Sequence, residues 1–104
     1  MLVEERVRLR LQHTRFSLLR EDAMSALVSL AASHIQMGYT LLDVASTTED
    51  EATRQRCILK AQGICDRLTV WVRRYPHLRS IRDDLEALIR QSHLLACATF
   101  SRND

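Results

Sequence analysis

Across 104 residues the chain has one proline, Pro76, and two glycines, Gly38 and Gly63. Tight turns draw on these residues, for a fixed φ or for a positive one. A chain this poor in them has few turns, and few turns mean long elements. A sheet of many short strands would need a turn signal roughly every 8–12 residues. The expected fold is therefore all-α: a small antiparallel helical bundle, with three long helices plus an N-terminal helix or arm. Residues 1–104 form a single helical domain in this reading. A chain of this length buries roughly 65% of its unfolded surface, enough for one thin core.

Two breaks organise the chain. "ASTTEDE" at 45–51 holds capping-box pairs, Thr48 with Glu51 or Ser46 with Glu49, that start a helix. "RRYPHLRS" at 73–80 holds Pro76, which lacks an N–H and restricts Tyr75, so a helix ends near Arg74 and another begins just after. The predicted helices run at about 3–19, 21–46, 49–74 and 78–99. In the third, Cys57, Ala61, Ile64, Leu68, Trp71 and Tyr75 recur at helical spacing, flanked by Ile58, Cys65 and Val72. Cys57 and Cys65 thus read as small core residues. In the fourth, Leu78, Ile81, Leu85, Leu88, Ser92 and Leu95 make a similar seam.

The second segment is apolar around most of its circumference. Ser25, Ser29, Ser33, Gln36, Thr40 and Asp43 gather into one narrow polar stripe, so this helix is expected to be surrounded. The first segment is ambiguous. Residues 6–18 alternate apolar and polar as a strand does, but their residue types favour helix. As a helix it has two apolar stripes: Val3, Val7, Leu11 and Leu18 on one, Leu2, Leu9 and Phe16 on the other. The second stripe is the expected dimer or partner face, and surplus apolar surface on both segments points to a homodimer.

Charge is unevenly placed. Hydrophobic residues make up 46% and charged residues 27%, a globular rather than disordered composition. The net charge of +2 conceals fourteen arginines against one lysine, a bias that fits a GC-rich bacterial genome. Residues 1–20 carry +3, residues 21–51 carry −6 and residues 52–79 carry +6. Basic residues concentrate around aromatics in "VWVRRYPHLR": Trp71, Arg73, Arg74, Tyr75, His77 and Arg79. Such a cluster suits a protein partner. It also suits phosphates and bases, and it can equally be a solvated helix end whose cations meet the helix dipole.

Catalytic patterns are missing. His13, His34, His77 and His93 fall on different segments, and no Gly-rich phosphate loop, Gly-x-Ser-x-Gly or paired-Cys motif occurs. Asp83 and Asp84 diverge by about 100° on a helix and make no dyad. No enzyme activity, cofactor or metal is expected. Three cysteines without a CxxC pair fit a reducing cytoplasm. No apolar run reaches the ~20 residues a membrane helix needs.

His34-Ile35-Gln36-Met37-Gly38 resembles, over five residues, the His-x-x-Lys-Gly pattern of histidine phosphotransfer domains. Those domains are all-helical, of about this length, with an exposed acceptor histidine; the resemblance implies a phosphotransfer-like role for His34. Met37 stands where the family has lysine, which removes a charge that helps neutralise phosphate. The residues themselves support a structural reading, in which Gly38 admits a neighbouring helix closely and His34 hydrogen-bonds in the core or at an interface. The leading functional expectation is a non-enzymatic cytoplasmic bacterial interaction or regulatory protein that binds a protein partner, such as an anti-activator, a secretion-type chaperone or a phage inhibitor. A nucleic-acid-binding regulator using the arginines is the alternative, and phosphotransfer on His34 the second.

Overall fold

The computed structural model describes the backbone of residues 2–101 and the side chains of residues 14–101. It is all-helical: α1 (Leu2–Thr47), α2 (Glu51–Arg74), a 3₁₀ segment (Pro76–Ile81) and α3 (Arg82–Phe100), with no strand among the described residues.

The first two predicted helices are one. α1 runs unbroken where breaks were expected between 3–19 and 21–46, and the strand alternative for 6–18 gives way to helix. Leu18 to Met24 are mostly good helix formers with no Gly or Pro, so nothing stops propagation. At 1.5 Å per residue α1 is about 69 Å long. It sets the shape of the molecule, 77 × 20 × 16 Å, with a radius of gyration of 20.7 Å. A compact domain of this length has about 13 Å.

The first turn differs in its cap. Asp50 caps α2: its carboxylate accepts from the Thr53 N–H at 3.2 Å and from the Thr53 hydroxyl. Of the two expected caps, Thr48 instead accepts from the Asp50 N–H at 3.2 Å and Ser46 donates to the Leu42 carbonyl at 2.8 Å. Aspartate places charge at the positive end of the helix dipole, which a hydroxyl cannot. α1 has no basic residue in its own last turn. Arg54 of α2 supplies one, donating to the carbonyls of Ala45 at 3.1 Å and Thr48 at 2.6 Å while pairing with Glu51 at 2.9 Å. That clamp turns α2 back along α1.

From there the helices share one face each. Ala45, Ile58 and Ala96 seal the turn end, and Ile35, Leu42, Ala61, Ile64, Leu68, Leu78, Leu85 and Leu88 fill the middle. The α2 and α3 seams are the packed faces; Ser92 is buried within one, and Leu95, Trp71 and Tyr75 are half-buried at the margins. Leu88, fully buried, lies against Gly38: a Cβ at residue 38 would stand 2.7 Å from Leu88 Cδ2. Glycine mid-helix costs about 1 kcal/mol relative to alanine. Here it admits a buried leucine, whose loss to alanine would cost about 2–5 kcal/mol.

The bundle covers only part of α1. Beyond the 3₁₀ segment, α1 continues as a projecting arm, and every described residue from 14 to 23 is exposed.

Candidate interaction surface

The aromatic–arginine turn does not form one surface. Pro76 ends α2 at Tyr75, whose N–H donates to the Trp71 carbonyl at 2.8 Å. Trp71 turns inward, its ring edge-on to His34 with centroids 5.5 Å apart. Tyr75 also packs on the core, with the Arg74 guanidinium 5.7 Å from its ring centroid. Arg73 and Arg79 lie elsewhere. With Arg82, Val72, Leu85 and Ile89 they line a groove of about 400 Å³, where Glu86 answers Arg82 at 3.4 Å. His77 sits apart from that groove, beside Met24, Val28 and Arg20 of α1. Half of the sequence-predicted cluster thus supports the core or the arm, and only Arg73 and Arg79 converge.

His34 is half-buried, and its Nδ1–H donates to the Leu30 carbonyl at 2.8 Å. The carbonyl can only accept, so the proton sits on Nδ1. One ring nitrogen is thereby used within α1, and the ring is in a T-shaped contact with Trp71. Among the cysteines, Cys65 is buried; desolvation, with the Asp66 carboxylate adding to it, pushes its thiol up, away from the reactive thiolate form. Among the described residues, no group of three or more His, Cys, Asp and Glu side chains is placed to hold a metal. No helix there is long and apolar enough to cross a membrane.

The outer face of α1 is different in kind. Phe16, Ala23, Leu30, Met37 and Val44 follow one another at intervals of seven and are all exposed, Phe16 by 71% and Met37 by 54%. A seven-residue step returns to within about 20° on a straight helix, so these side chains form one continuous row. Leu19 and Ala26 widen it, and Ser33 and Thr40 continue the second row with small polar groups. The buried residues Ala31, Ile35, Gly38, Leu42 and Ala45 lie about 100° round the helix from this row, against α2 and α3, so the row runs along an exposed flank and the polar stripe of Ser29, Ser33, Gln36 and Thr40 faces directly away from the core. In sequence the row extends back through Leu9 to Leu2, whose side chains lie outside the described residues.

This row is what the sequence reading missed. Leu2, Leu9 and Phe16 stand out in the sequence, but an expected break near residue 20 hides the continuation into Leu30, Met37 and Val44. Counting by sevens across that point finds it. Leu59, Val70 and Leu94 are also exposed, but they stand singly or beside charges such as Asp66.

The exposed area agrees. The molecule presents 8173 Å². A compact monomer of its mass presents about 6,000 Å². The excess, about 2,000 Å², exceeds the ~800 Å² that one side of a standard protein interface buries. The chain matches no protein-family model, no curated protein and no solved structure.

Proposed function

We propose that this chain is a non-enzymatic interaction protein that works by binding another protein along the outer face of α1. One observation carries this: an exposed apolar row at heptad spacing, on a helix far longer than the bundle it belongs to. Heptad rows on long helices are the usual seam for helix–helix recognition. A regulator of this kind acts by occupying a surface on its partner, in the manner of an anti-activator or a chaperone. The three unpaired cysteines suit a reducing, cytoplasmic setting.

Photo-crosslinking tests the surface. A benzoylphenylalanine replacing Met37, on the row, is compared with one replacing Gln36, on the polar stripe. The expected result is a protein adduct from position 37 and little from position 36. Equal adducts, or none, would remove the row as the working surface.

The arginine groove supports a second reading, an anionic partner such as nucleic acid held by Arg73, Arg79 and Arg82. Arg73→Glu with Arg79→Glu should then abolish binding. Log affinity should also fall steeply and linearly with log salt, at about 0.9 per neutralised phosphate on a duplex. An interface on the α1 row has a much flatter response, since its core is apolar.

A further inference from the structure

We infer that the occupant of the α1 row is a second copy of this chain, with its α1 running in the opposite direction, so that the arm of each copy lies over the bundle of the other. This rests on the outer face of α1 being the working surface, and it adds the partner and the direction.

Charge sets the direction. Residues 1–20 hold five arginines and two glutamates, whereas residues 21–47 hold Glu21, Asp22 and Asp43 and no base. Parallel pairing sets the basic half of α1 against another basic half, and acids against acids. Opposed pairing sets each basic arm along an acidic half. Of the residues just before members of the row, the charged ones change the same way along the helix, from Arg15 to Asp22 and Asp43, with uncharged Ser29 and Gln36 between them. Positions flanking an apolar seam choose partner and orientation.

Size sets the register. Two-fold pairing with full overlap of Leu2–Thr47 puts residue i opposite residue 49 − i. Ala23 then meets Ala26 of the partner subunit at the centre, where two exposed small residues let the helices approach. Leu19 meets Leu30 of the partner subunit, and Phe16 lies over the partner subunit's Ser33. The bulkiest exposed side chain among the described residues of the arm therefore falls where the facing stretch of the bundle has a small one. Each arm runs along the stretch from Leu30 to Val44 of the other copy. The excess of about 2,000 Å² is the surface an elongated chain leaves uncovered on all its faces, and a stable dimer needs ~800 Å² of it a side.

Two measurements on the full chain decide this. Light scattering coupled to gel filtration at micromolar concentration should give twice the 12.0 kDa chain mass. Leu30→Glu with Met37→Glu should return the single-chain mass while the bundle keeps a cooperative thermal unfolding transition, because both side chains are exposed and outside the bundle core. Nitroxide labels at Ser17→Cys, with Cys57→Ser and Cys97→Ser, report the direction. Opposed helices place the two labels about 22 Å apart along the axis, from the 1.5 Å rise. Parallel helices leave only the interaxial spacing of about 8–10 Å. A monomer, a dimer untouched by the glutamates, or a short label distance overturns the inference. A monomer whose position 37 still crosslinks to a different protein would sink the second copy alone; silence at position 37 would sink the surface itself.

Discussion

Gly38 and Gly63 both sit inside helices, and packing makes them opposites. A Cβ on Gly63 meets nothing within 4 Å, while one on Gly38 comes within 2.7 Å of Leu88. Gly63→Ala should therefore stabilise the fold by about 0.5–1 kcal/mol through helix propensity alone. That corresponds to a rise in Tm of a few degrees, given about 4–8 °C per kcal/mol for a small domain. Gly38→Leu should destabilise by about 1–3 kcal/mol or more, because overpacking forces α3 away. Thermal melts of the two variants should move in opposite directions, and equal shifts would contradict the placement of Leu88. His34 invites a parallel test. With Nδ1 committed to the Leu30 carbonyl and its ring in a T-shaped contact with Trp71, it should take up no phosphate. Intact mass after acetyl phosphate treatment should be unchanged, and an adduct lost in His34→Gln would revive the phosphotransfer reading.

Between elements, the turn from α1 to α2 depends on Asp50 and Arg54. The hydrogen bond from the Thr53 hydroxyl, then that from its N–H, hold the Asp50 carboxyl below the ordinary aspartate range. A lowered folded-state pKa means that the cap contributes fully above the unfolded value and loses that contribution as pH falls through the lower one. The urea midpoint should show an acid-side decline, below about pH 4, that is shallower in Asp50→Asn. Arg54→Met leaves the Ala45 and Thr48 carbonyls to water and should cost about 1–3 kcal/mol, as charge-assisted bonds do. Neither feature was fully legible beforehand. The sequence placed the turn correctly because Pro and Gly are rare and the capping signals crowd there, but several capping residues stand side by side and only backbone geometry selects Asp50. The α2 and α3 seams were readable because amphipathic periodicity over five or more turns has one solution. The continuity of α1 was not, because residues 6–18 alternate as a strand does while residues 21–46 carry a helical polar stripe, and two patterns look like two elements. The spread of the aromatic turn over several faces was not legible either. Trp71 and Tyr75 follow the buried seam of α2, and their neighbours in sequence belong to other faces.

At the scale of the molecule, the arm poses a stability question. A helix with nothing packed on it gains little stability in water, since most helical stability comes from packing. If a second copy supplies that packing, helix content should fall on dilution. Far-UV circular dichroism from micromolar to low nanomolar concentration should follow the same midpoint as the mass. A signal independent of concentration would mean that the arm holds itself. Moderate salt should shift that midpoint only slightly, because the apolar row carries the association and screening reaches only the flanking charges. The unbroken backbone of α1 has a further consequence, one of phase. Arm and bundle share a single screw axis, so the bearing of Phe16 relative to Leu30 is fixed by residue count alone. One residue inserted between Arg20 and Glu21 would leave both halves intact, yet turn the arm by about 100° and split the row. Seven residues inserted there would lengthen the arm by about 10 Å and turn it by only about 20°. Length changes in this region are therefore expected to be tolerated in steps of seven, which makes the reach of the arm adjustable while its aim is kept.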